Sequence, residues 1–243
     1  MQDGLWFDQG RCALEEASGA RDKYYSNKLV RLCLTVIEDI MGGNGVAAAL
    51  SLAKLEHLIG NCPPHTLGRD FSFESFAAVN QAIVEMHGPQ RARGLCVRAG
   101  RASLRHAVAE SGLMANVPDP AFQLLPVGAK VKVGLNTLAD VLSKLSDQEV
   151  KLEERAGDLV SVVETCPECW VRISHEAICH GTNGMLQEAL RWLTDTEANG
   201  ATEVECVARG DSVCAFLIFK EPEEAVHGGS DGRALDAAEA QEQ

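Results

Sequence analysis

The hydrophobic period of this chain changes once, near residue 148, and that change decides what it can fold into. Before it, Leu29, Leu32, Cys33, Val36, Ile37 and Ile40 recur at three- and four-residue spacing, which is one face of a helix. After it, Glu149-Val150-Lys151-Leu152-Glu153 alternates with a period of two, as a half-exposed strand does. A helical first half followed by hairpin-forming strands predicts an α+β fold, with the helices packed on a mostly antiparallel sheet.

Breakers delimit the elements. Helices are expected from Ser26 to Gly42-Gly43, over 46–58 before Asn61-Cys62-Pro63-Pro64, and over 73–86 before His87-Gly88-Pro89. Two more are expected over 91–110, broken by glycines, and over 127–145, with Val117-Pro118-Asp119-Pro120 a loop between them. Strands are expected over 149–153, 159–163, 170–174, 203–208 and 213–219, with a helix over 179–193. Arg209-Gly210-Asp211-Ser212 joins the last two strands and carries a hairpin signal. Residues 1–22 read as a loosely ordered N-terminus and 23–148 as a helical part. Residues 149–220 read as an α+β module that forms one compact domain with the helical part, and 221–243 as an acidic, solvated tail.

The formal net charge of −13 argues against nucleic acid and against anionic membranes as partners. No stretch comes near the roughly 18 consecutive apolar residues of a membrane span, and Met1-Gln2-Asp3-Gly4-Leu5-Trp6 lacks a signal-peptide layout. A cytoplasmic location is expected. In that compartment the nine cysteines are packing residues, metal ligands or redox groups rather than a disulfide framework.

Four residues have the spacing of a closed metal site. Glu203-x2-Cys206 lies on one predicted strand, Cys206-x7-Cys214 spans the hairpin, and Cys179 starts the preceding helix. Three thiolates and one carboxylate suit tetrahedral zinc; the alternative is that the thiols are small buried apolar groups. Cys166-Pro167-Glu168-Cys169 reads in three ways: a redox pair, half of a zinc site with Cys206 and Cys214, or a turn that happens to carry two thiols. His175 and His180 flank Cys179 and read as metal ligands, as partners of a ligand or, the favoured reading, as polar residues at a helix start, and Glu164 and Glu168 read as solvated turn carboxylates. Cys12, Cys33, Cys62 and Cys96 read as packing residues. Nucleotide, hydrolase and metalloprotease motifs are missing, and no flavin or nicotinamide fingerprint supplies electrons.

The run Glu164-Thr165-Cys166-Pro167-Glu168-Cys169-Trp170, then Cys179-His180-Gly181-Thr182-Asn183-Gly184, then Glu203 to Phe216 with Gly210-Asp211 and Cys214, resembles the 4-vinyl reductase domain family. Within it the J-type proteins of bacteriochlorophyll biosynthesis are the nearest look-alikes, through Arg93-Gly94 to Arg101 and Leu124-Leu125-Pro126. The resemblance implies a ligand-binding fold shared with phenol sensors and with Golgi tethering subunits. It implies zinc at Cys179, Glu203, Cys206 and Cys214, a pocket for a hydrophobic or aromatic small molecule, and a homodimer. The reading it favours is a carrier or sensor, for example of a tetrapyrrole intermediate, rather than an enzyme. A vinyl reductase of pigment biosynthesis and a protein-interaction scaffold are the alternatives. If the pocket opens beside the sheet, Trp170, Trp192 and Phe216 are candidates to line it; otherwise they are core.

Overall fold

The computed structural model describes residues 22–111, 122, 124–196 and 200–219. The tail, most of the N-terminal stretch, the loop at Val117-Pro118-Asp119-Pro120 and Cys12 lie outside the described residues.

The chain opens with a two-residue strand β1 (Tyr24–Tyr25) and helix α1 (Asn27–Leu52), followed by a short 3-10 turn (Glu56–Leu58). Then come β2 (Phe71–Ser72), α2 (Phe73–His87), α3 (Pro89–Ser111) and α4 (Val127–Leu145). The second half contains β3 (Val150–Arg155), β4 (Asp158–Val163), α5 (His180–Thr194), β5 (Gly200–Glu205) and β6 (Cys214–Phe219). It is an α+β fold, as the change of period predicts.

The glycine pair expected to close the first helix bends it instead. Gly42 adopts φ 75° and ψ 160°, and the helix resumes beyond it to Leu52. By length and composition α1 could cross a membrane; here Val30, Leu34, Ile37 and Val46 are buried in a core shared with α2 and α3. Helix α2 starts at a true cap, where the Ser72 hydroxyl accepts from the Ser75 N–H at 3.1 Å. It stops at Gly88, whose φ of 74° suits glycine, and Pro89 opens α3 at the position where its missing N–H costs nothing. Pairing of β1 with β2 ties the start of α1 to the start of α2.

Helix α3 is continuous despite its glycines, and the reason is packing. A Cβ on Gly100 would lie 1.9 Å from the Gly181 carbonyl oxygen, and one on Gly184 would lie 2.2 Å from that of Val97. Helices α3 and α5 therefore meet backbone to backbone. Gly134 of α4 receives the Leu193 side chain of α5 in the same way.

The four-stranded sheet runs β3-β4-β6-β5, antiparallel throughout. Its inner face carries Val150, Leu152, Val163, Phe216 and Ile218 into a core completed by α4 and α5. A second core lies among α1, α2 and α3. The strand expected over 170–174 does not form. Arg172 N–H bonds back to the Cys169 carbonyl at 3.0 Å, and Val171 is forced to φ 52°, which is costly for a β-branched residue. The segment turns because both thiols before it point inward, as described next.

Candidate functional site: a buried thiol cluster beside an apolar cavity

Five thiols and one carboxylate converge between the sheet and the start of α5. Cys214 opens β6, and Cys206 directly follows the facing strand β5. The loop between them is held by Asp211, which accepts from the Cys206 N–H at 2.8 Å and from Arg209 at 2.7 Å. These bonds keep the Asp211 carboxyl below its ordinary range, and Gly210 takes the left-handed turn at φ 101°. Val207 N–H donates to the Cys214 sulfur at 3.4 Å. A bulge between Glu203 and Glu205 accompanies the turn of Glu203 toward the helix, where its Oε2 accepts from the Cys179 N–H at 2.9 Å.

The four residues singled out by spacing come together: the ligand atoms of Cys179, Glu203, Cys206 and Cys214 all lie within 4.8 Å of one another. A second quartet of the same compactness contains Cys166, Cys169, Cys179 and Cys214. The sulfur separations are 3.3 Å for Cys166–Cys179 and Cys169–Cys214, 3.7 Å for Cys179–Cys214, and 3.8 Å for Cys179–Cys206. All five cysteines are buried. The 166–169 pair, given above as a redox pair, a half-site or a plain turn, shares one space with the other thiols. Neither His175 nor His180 belongs to either quartet among the described residues.

The donor chemistry fits a soft divalent cation. Glu203 Oε1 is buried and has no hydrogen-bond partner, and burial together with the adjacent Cys206 pushes this carboxyl up to about 9. The packed thiols push one another's proton affinities apart: hydrogen bonding to Cys166 holds up Cys179 and Cys214 and holds Cys169 well below the ordinary thiol range. Buried groups of this kind are satisfied by a metal ion, which deprotonates them and fills their open coordination.

Glu168, expected to be a solvated turn residue, is only 4% exposed. Its carboxylate accepts from the N–H groups of Gly181 and Thr182 at 2.8 and 2.5 Å and from the Thr182 hydroxyl at 2.6 Å. It thus caps the first turn of α5, where the helix dipole favours a negative group. Burial nonetheless raises its proton affinity. The spacing rules offered no signal for this, because a carboxylate that caps a helix 13 residues away has no local pattern.

Glu168 also forms part of the wall of a cavity of about 100 Å³ between the two cores. Leu29, Cys33 and Ile37 of α1, Phe76 and Ile83 of α2, and Met185 of α5 make most of that wall apolar. The polar exceptions are few. Gln148, 7% exposed, gives its amide N–H to the Tyr25 hydroxyl at 3.3 Å, while its Oε1 has no partner. Cys33 and Cys96, read from sequence as packing residues, face this cavity. Of the three aromatic residues proposed as pocket lining, Phe216 is fully buried in the sheet-side core and Trp192 packs against it. Trp170 stacks edge-on with Phe73 at 5.7 Å. The cavity lies among the helices, and none of these three borders it.

No protein-family model and no curated protein matches the sequence, so nothing supports the 4-vinyl reductase family, the J-type proteins or bacteriochlorophyll biosynthesis. Among solved structures, the chain is similar to an Fe(II) unliganded H-NOX protein variant from K. algicida. The identity is 13%, the match covers 82% of this chain and 98% of that chain, and the TM-score is 0.51. The likeness is one of fold. Two looser matches are an H-NOX protein from S. oneidensis in the Fe(II)NO ligation state and the phenol-responsive sensory domain of the transcription activator PoxR with phenol. The first is 10% identical and covers 79% and 98% of the two chains with a TM-score of 0.49. The second is 19% identical and covers 62% and 76% with a TM-score of 0.45.

Proposed function

We propose that this chain is a receiver, a carrier or a sensor, for a small, mostly apolar molecule of one ring that carries a hydrogen-bond donor. The observation that supports this is a mostly apolar cavity with one buried, unpaired acceptor, Gln148 Oε1, on a residue of its wall. An unpaired buried acceptor costs about 1–3 kcal/mol, and a ligand hydroxyl would recover that cost. A cavity of about 150 Å³ lined by apolar side chains is enough for benzene. At about 100 Å³ the space here is smaller than that, so a single ring is the upper limit and needs the flexible Met41 and Met185 side chains to give way. A tetrapyrrole is far too large for this space, which makes it the less suitable ligand. In the same reading, zinc held by Cys179, Glu203, Cys206 and Cys214 is structural. The donor set leaves no open position and pins the β5–β6 hairpin to the start of α5.

Titration calorimetry of the full chain with phenol, toluene and a two-ring phenol tests the proposal. Phenol and toluene should bind and the two-ring compound should not. Gln148→Leu should weaken phenol about tenfold, the value of one net hydrogen bond, and leave toluene unchanged. Met185→Trp should abolish both by filling the space. Failure of every single-ring compound to bind the wild-type chain would overturn the assignment.

A further inference from the structure

The thiol cluster contains more donors than one zinc ion can use. A single ion in the quartet of Cys179, Glu203, Cys206 and Cys214 strands two buried thiols, Cys166 and Cys169, against it. A single ion in the quartet of Cys166, Cys169, Cys179 and Cys214 strands Cys206 and leaves Glu203 Oε1 buried without a partner. The two quartets share Cys179 and Cys214 and nothing else. Two tetrahedra that share one edge require six donors, two of them common to both, and that is the arrangement present.

We propose that the site holds two zinc ions bridged by the Cys179 and Cys214 thiolates, one completed by Cys166 and Cys169 and the other by Glu203 and Cys206. This rests on the zinc reading above and extends it.

The distances agree. Zinc–sulfur bonds of about 2.3 Å set the sulfurs of one tetrahedron about 3.8 Å apart. The shared edge, Cys179–Cys214, is 3.7 Å, and Cys179–Cys206 in the second tetrahedron is 3.8 Å. Cys166–Cys179 and Cys169–Cys214 in the first are somewhat shorter at 3.3 Å. Charge points the same way. With all six donors deprotonated, five thiolates and one carboxylate carry six negative charges, of which two divalent ions cancel four. The Val207 N–H on Cys214 and the Cys179 N–H on Glu203 suit a residual charge of that size. Because protein thiolates take both bridging positions, inorganic sulfide has no place in the cluster.

The test is metal stoichiometry. The full chain is purified under reducing conditions in zinc, desalted and weighed by native mass spectrometry, with elemental analysis alongside. Two zinc ions per chain are expected. The double variants Cys166→Ser/Cys169→Ser and Glu203→Gln/Cys206→Ser should each retain one, and Cys179→Ser/Cys214→Ser none. Because any of these variants can fail to fold, cadmium NMR of the wild-type chain provides a second readout. Two resonances should fill together at two equivalents, the all-sulfur site downfield of the site with an oxygen ligand. One zinc per chain with a single cadmium resonance would overturn the bridged pair and leave the mononuclear reading intact. A chain free of zinc would defeat both readings, as would one that carries iron with acid-labile sulfide.

Discussion

Two cavity thiols show what enclosure does to a single residue. Cys33 is half-buried and lines the cavity. That burial, with the Glu168 charge adding to it, pushes the thiol up to about 12. Cys96 is likewise pushed up to about 12 by burial and by Glu168. The neutral form is thus favoured in the folded state. The stability this contributes is present below the thiol's ordinary value near 9 and is lost as pH rises from there toward about 12. Because the thiolate is the reactive species, iodoacetamide at pH 8 should label exposed Cys62 well before Cys33 or Cys96, and phenol should slow the latter two further. Peptide mass mapping over time reads this directly. Equal rates at all three residues would mean that the cavity opens to solvent.

At the scale of elements, glycine has two distinct roles in α3. Gly100 is a contact residue, and a methyl there meets the backbone of α5 at 1.9 Å. Gly94 has nothing within 4 Å of where a Cβ would stand. Gly100→Ala should therefore destabilise by about 1–3 kcal/mol or more, as overpacking does. Gly94→Ala should stabilise by about 0.5–1 kcal/mol through the unfolded chain and helix propensity. Urea midpoints of the two variants should move in opposite directions. The same pair marks what the sequence could disclose. Periodicity located α2, α4 and both β hairpins, since each buries one face with a regular repeat. It read the α3 glycines as interruptions, because close approach of two backbones is a tertiary fact with no local trace. It extended Trp170–Ser174 into a strand for a similar reason: two thiols and Glu168, drawn to partners far along the chain, overrule the β preference of Val171 and Ile173. Spacing across the hairpin found the Cys206–Cys214 half of the cluster. The Cys166–Cys169 half stayed open because a loop carries no period to say which way its side chains face.

For the molecule as a whole, the cluster and the cavity are joined through one short loop. Cys166 and Cys169 face the other thiols, while Glu168 between them caps α5 and closes the cavity wall. On the reading proposed above, stripping zinc with a chelator should therefore reach the cavity, although none of the five clustered thiols lines it. We expect faster hydrogen exchange at Gly181–Asn183 and at least a tenfold loss of phenol affinity, both reversed by added zinc. Unchanged affinity in the stripped chain would show that Glu168 holds its place without the cluster. The separation of the two cores has a different origin. It is fixed where the main chains of α3 and α5 touch, at Gly100 and Gly184, not by the side chains that line the space. Chemistry and dimensions are therefore under separate control: exchanging Phe76, Ile83 or Met185 would change which molecule the chamber accepts while its walls stay where the peptide backbone has set them.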